Sequence, residues 1–139
     1  SSLNPADLFP SSYDRLTRNG SRFVVNDIPN ISTDLALALT SNNIQFTGSA
    51  ATVGNGAVNP RLYAPGQWAQ GSSFSHLDET TFQNTEDALM IWRLMPGTAI
   101  HDLGPVSRGL MNDIGWANAA SGVPFSELVN DTYLPYLSR

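Results

Sequence analysis

The sequence predicts an α+β fold in one domain spanning residues 1–139, rich in loops, with short strands and a few helices. Three observations lead there. A single stretch, opening at Gly104-Pro105, keeps apolar residues at helical spacing over successive turns, with Val106, Leu110 and Ile114 at i, i+4 and i+8. Alternating apolar runs exist but are brief, as in Asn43-Ile44-Gln45-Phe46-Thr47-Gly48. Finally, 11 glycines and 9 prolines are scattered along the chain and leave little room for long regular elements.

Residues 1–30 are broken by Pro5, Pro10, Gly20 and Pro29, and Ser21-Arg22-Phe23-Val24-Val25 reads as a strand between them. A helix is expected over 33–40. Ser32 or Thr33 can cap its free amides, Asp34 complements its positive end, and Leu35, Leu37 and Leu39 with alanines favour it. The spacing of two between those leucines is also compatible with a strand. Residues 43–48 form a strand ending at a glycine turn, and 48–72 read as a long ordered loop anchored by Leu62, Tyr63 and Trp68. A polar stretch from Asp78 to Asp87 follows, then Ala88-Leu89-Met90-Ile91-Trp92 and a turn at Pro96-Gly97. The helix of 105–115 begins with proline at its first position and stops at Gly115, with Trp116 expected to fold back on the core. A short final helix is expected from Ser126 toward Tyr133.

Composition narrows the function classes. A hydrophobic content of 41% argues against disorder, while 14% charged residues is low for a fully solvated surface and points to area reserved for an interface. Twelve acids face seven arginines, with no lysine, and no basic stripe is interleaved with aromatics, so nucleic acid is excluded as a partner. No run approaches the roughly 20 apolar residues of a membrane span. Cysteine is absent, so no disulfide framework is expected. The opening Ser1-Ser2-Leu3-Asn4-Pro5 reads like the interior of a longer precursor.

Chemistry-bearing residues concentrate in Gly71-Ser72-Ser73-Phe74-Ser75-His76-Leu77-Asp78-Glu79, followed by Ala88-Leu89-Met90, Gly104-Pro105-Val106 and Asp113-Ile114-Gly115-Trp116. That order resembles the downstream half of a metzincin-type zinc metallopeptidase, nearest to leishmanolysin-like and secreted bacterial enzymes. Tyr13-Asp14-Arg15-Leu16 is similar to the segment that follows the zinc-binding helix in such relatives. The resemblance implies a C-terminal subdomain of a metzincin-like fold, a secreted or extracellular location, zinc as the cofactor and a protein or peptide substrate. It assigns His76 as the third zinc ligand, Met90 to the methionine turn beneath the metal, and Asp78 and Glu79 as acceptors for the free ring nitrogen of His76. Met90 is followed by Ile91-Trp92 where the relatives commonly have Thr-Pro.

The upstream half of the pattern is not in this chain. It has two histidines, His76 and His101, and neither is followed by glutamate, so no His-Glu-x-x-His helix can be drawn. A catalytic zinc takes three protein ligands and keeps one position for water, so no catalytic residue is assigned here. Zinc is expected only where a complementary segment carrying His-Glu-x-x-His is present, and the isolated chain is expected to be inactive. Without the resemblance, His76 reads as a hydrogen-bonded structural histidine and Met90 as a core methionine. His101, in Ile100-His101-Asp102, reads as structural, near the entrance of the 105–115 helix. Two readings follow: the C-terminal portion of a secreted zinc endopeptidase paired with its N-terminal chain, or a catalytically dead, peptidase-derived module serving self-assembly or binding.

Overall fold

The computed structural model describes residues 10–116. Its elements are α1 (Ser12–Arg15), β1 (Thr17–Asn19), β2 (Arg22–Phe23), α2 (Thr33–Leu39), β3 (Ile44–Phe46), α3 (Ser49–Gly54), α4 (Glu79–Phe82), a 3₁₀ turn (Ala88–Met90) and α5 (Gly104–Asp113). This is a mixed α+β arrangement with short strands. Among the described residues no helix is long and apolar enough to cross a membrane.

The sheet is antiparallel in the order β2-β1-β3. Gly20, at φ +57°, takes the first corner of the two-residue β1–β2 connection, where positive φ matches the twist of the paired strands. β1 then pairs with β3, Thr17 opposite Phe46 and Asn19 opposite Ile44. Single bridges carry the pairing on through extended chain: Gln45 to Arg61, Leu62 to Leu77, and finally Leu77 to Ile91 in parallel. The connecting bonds are well formed, Leu62 N to Ile44 O at 2.9 Å, Tyr63 N to His76 O at 2.8 Å and Leu77 N to Met90 O at 2.9 Å. One ladder therefore runs from the N-terminal hairpin to the segment of His76 and on to Met90.

The helices are fixed by their ends. In α1, the Ser11 hydroxyl accepts from the Asp14 amide at 3.2 Å while the Asp14 carboxylate accepts from the Ser11 amide at 2.8 Å. Ser32 caps α2 through the Leu35 amide at 3.0 Å. α3 and α5 lack a capping side chain at their own N-caps, and distant carboxylates serve instead. Asp113, at the end of α5, accepts from the Ala50 and Ala51 amides at 3.0 and 2.9 Å. The buried Asp87 accepts from the amide and hydroxyl of Ser107 at 2.8 and 3.0 Å. Both carboxylates place a negative charge at the positive end of a helix.

α3 lies directly on α5. Gly109 makes this possible, since a Cβ there would stand 2.5 Å from the Ala50 carbonyl carbon and the Ala51 nitrogen. Ile44, Phe46, Leu62, Leu77, Ile91, Val106 and Leu110 form one buried cluster between the ladder and α5. Removing that apolar surface from water is the main stabilising contribution to the fold.

Two sequence expectations are corrected. The stretch 48–72 is not loop throughout, because α3 occupies its first part; Ser49-Ala-Ala-Thr-Val-Gly54 lacks an apolar stripe and is held by Asp113 and the face of α5. Trp116 does not fold back on the core but is 67% exposed. The helix expected from Ser126 lies outside the described residues.

Candidate functional site

The turn that delivers His76 begins at Ala69. The Ser73 hydroxyl accepts from the Ala69 amide at 2.9 Å, and the Ser73 amide donates to the Ala69 carbonyl at 2.8 Å. Gly71 at φ +82° and Phe74 at φ +72° both take the left-handed conformation. Glycine adopts it without cost, whereas phenylalanine holds it only because its surroundings impose it. Those surroundings are visible. The Phe74 amide donates to the Tyr63 carbonyl at 2.7 Å, its carbonyl accepts from the Tyr13 hydroxyl at 2.7 Å, and its ring meets that of Tyr13 edge-on at 5.6 Å. Burial, and secondarily the charge of Asp14, pushes the Tyr13 phenol well above the ordinary tyrosine range, keeping it a neutral donor.

His76 follows in a bend just before the bridge residue Leu77 and is half-buried. Its Nδ1 lies 2.9 Å from the Ser72 carbonyl oxygen and 3.0 Å from the Ser75 hydroxyl. A carbonyl oxygen only accepts, so Nδ1 carries the ring proton. No described residue hydrogen-bonds Nε2, which is left as the basic nitrogen. Downstream, the Leu77 amide donates to the Met90 carbonyl, so the ladder sets the backbone after His76 beside the 3₁₀ turn ending at Met90. The Met90 side chain packs on the buried cluster from its edge.

The acids beside His76 are engaged elsewhere. Asp78 is buried and caps α4, accepting from the Thr81 amide at 3.0 Å and the Thr81 hydroxyl at 2.5 Å. Glu79 accepts from Trp92 Nε1 at 2.6 Å and Arg93 Nε at 3.0 Å. The Arg93 bond first, and the Trp92 bond second, hold its carboxyl below the usual range. The imidazole partner expected from Asp78 or Glu79 is instead the backbone carbonyl of Ser72. A carbonyl is supplied by every residue type, so sequence carries no direct sign of it; the glycine before Ser72 is the one trace. His101 is exposed, and its neighbour Asp102, just before α5, pairs with Arg108 in the middle of that helix.

Among the described residues, no three histidine, cysteine, aspartate or glutamate side chains converge to hold a metal. His76 Nε2 fits one ligand position of a zinc centre; two further ligands and a general base would have to come from outside this set. An apolar cleft of about 280 Å³, between Val24, Ile28, Leu35, Leu39, Trp68 and Phe74, is not lined by His76 or Met90. It touches the His76 turn only through Phe74.

Comparison of the chain with protein-family models, with curated proteins and with solved structures finds no match.

Proposed function

We propose that this chain is the C-terminal portion of a secreted zinc metalloendopeptidase of metzincin type, contributing His76 as third ligand and Met90 as the methionine turn, and inactive alone. The observation that supports the reading is the state of His76. Its Nδ1 proton is taken by a backbone carbonyl and Nε2 has no described partner, which is the usual condition of a metal-binding imidazole. The ladder bond between Leu77 and Met90 supplies the second feature, a tight turn next to that ligand.

The division of labour follows from what the chain holds. Zinc, when bound, lowers the pKa of its water toward neutrality and polarises the scissile carbonyl. The chain's own contribution is to orient one imidazole and to brace it against the packed cluster. Two histidines on one helical turn and a glutamate base would come from a complementary N-terminal chain, docking on the surface implied by the low charged fraction. The substrate would be a protein or peptide.

A second reading, equally compatible with the lack of converging donors among the described residues, is a peptidase-derived structural or binding module that no longer binds zinc. Purification of the protein from its source separates the two. A co-purifying segment with His-Glu-x-x-His and one zinc per complex supports the peptidase portion; a metal-free assembly of this chain without such a segment supports the module.

A further inference from the structure

We propose that the apolar cleft beside α2, about 280 Å³ in volume, is a binding site for a small organic amine, its hydrocarbon body held between Leu35, Leu39 and Trp68 and its ammonium at Asp14. Zinc and the peptidase reading play no part in it, because the cleft meets the His76 turn only through Phe74.

Three segments build the walls. Leu35 and Leu39, one helical turn apart on α2, line the cleft, whereas Leu37 between them does not and is 65% exposed. The turn after β2 contributes Val24, Val25 and Ile28; it is closed by the Asp27 amide on the Phe23 carbonyl at 3.0 Å and by the Phe23 amide on the Asp27 carboxylate at 2.6 Å. Trp68 and Phe74 come from either side of the Ala69–Ser73 turn, with Phe74 held by Tyr63 and Tyr13. Each wall is fixed by bonds of its own, so the hollow exists before a ligand arrives. Among the described lining residues the polar ones are Asp14 and Asn30, and none is basic. Asp14 Oδ2 accepts from the Ser11 amide and hydroxyl, both at 2.8 Å, while Oδ1 has no described hydrogen-bond or ion-pair partner. Asn30 Oδ1 accepts from the Ile31 amide at 2.9 Å and keeps a second lone pair. Apolar walls with one uncompensated carboxylate select a molecule with an apolar body and one positive, donor-bearing end, since a charge attracts more strongly beside low-dielectric walls than in open water. Trp68, 48% exposed, adds an aromatic face that favours an ammonium. An anionic end would be repelled by Asp14.

The test is a ¹H–¹⁵N correlation spectrum of the ¹⁵N-labelled 139-residue chain titrated with phenylpropylamine, phenylpropionate and phenylpropanol, which share a phenylalkyl body and differ in the charge of the end group. Trp68→Phe identifies the Trp68 indole N–H signal against those of Trp92 and Trp116. The amine is expected to shift that signal saturably, in roughly the millimolar range for a probe of this size. It should bind about tenfold more tightly than the carboxylate, with the alcohol between them. Asp14→Asn, which keeps an oxygen for the Ser11 amide, should lower amine affinity to that of the alcohol and leave the alcohol unchanged. Asp27→Asn removes the same charge from outside the described lining and should leave the ranking as in wild type. Carboxylate binding as tight as that of the amine, three equal affinities, no saturable Trp68 shift, or the same loss from Asp27→Asn overturns the inference. So does a Trp68 signal that moves with protein concentration alone, since a second copy would then fill the cleft. The wild-type ranking of the three probes decides the matter even if Asp14→Asn fails to fold.

Discussion

Gly109→Ala decides between two opposed effects. On an exposed helix, alanine in place of glycine stabilises by about 1 kcal/mol. In α5 the new methyl would sit 2.5 Å from Ala50 C and Ala51 N and 2.6 Å from Ala50 O, distances that real Cβ atoms do not occupy. All three atoms are backbone of α3, so no side chain can rotate away and the two helices must part. Overpacking of this kind costs about 1–3 kcal/mol. Parting also stretches the bonds from Asp113 to the Ala50 and Ala51 amides, now 3.0 and 2.9 Å, and charge-assisted bonds contribute about 1.5–3 kcal/mol each. The clash and the strained cap together exceed the propensity gain, for a net loss of about 1–3 kcal/mol. For 139 residues this lowers Tm by roughly 3–4 °C per kcal/mol, measured by circular dichroism on heating. An unchanged or raised Tm would refute the close α3–α5 contact.

Leu110→Ala, at a buried position of the central cluster, should cost about 2–5 kcal/mol in denaturant unfolding; a change below 1 kcal/mol would count against that face of α5. Asp87→Ala should cost about 1–3 kcal/mol by leaving the buried Ser107 amide and hydroxyl without their acceptor, and Asp87→Asn, which keeps an acceptor oxygen, should recover part of it. Because Glu79 titrates below the ordinary range, its stabilising contribution is present above the ordinary glutamate pKa and lost as pH falls through the depressed value. Trp92 fluorescence should follow that step, and Glu79→Gln should abolish it; a midpoint in the ordinary range contradicts the Arg93 and Trp92 bonds. The Tyr13 phenol has its pKa raised, so the neutral form is fully favoured below the ordinary tyrosine range and the advantage is lost as pH rises through the folded value. An ultraviolet alkaline titration compared with Tyr13→Phe should show one phenol ionising late, and identical curves would contradict its burial.

The elements legible in the sequence are those whose signals are local. α5 announces itself through Gly104-Pro105 and the Val106–Leu110–Ile114 stripe, and it extends over Gly104–Asp113. Ser32 capping marks α2, and the alternation around Ile44 and Phe46 marks β3, which buries those two residues and leaves Gln45 between them less buried. What escaped is held from a distance. α3 owes its start to Asp113 and its seat to Gly109, both far along the chain, so Ser49–Gly54 reads locally as loop. Asp87 sits in a polar run and looks like surface, yet it is buried because Ser107 comes to it. At the candidate site, His76 and Met90 are proposed from their order along the chain alone; the Ser72 carbonyl beside His76 has no sign in the sequence, since its placement depends on a left-handed turn and on no side chain. Asp78 and Glu79, near His76 in sequence, are drawn off by Thr81, Trp92 and Arg93.

The most direct measurement of the central proposal is metal content of the complex between this chain and a segment carrying His-Glu-x-x-His, comparing wild type with His76→Ala. The account predicts one zinc per wild-type complex, with chelator-sensitive peptide cleavage. In His76→Ala, zinc affinity and cleavage should fall together while the far-ultraviolet spectrum and Tm stay close to wild type. Full zinc retention by the folded His76→Ala complex would contradict the account, because His76 would then not be a ligand.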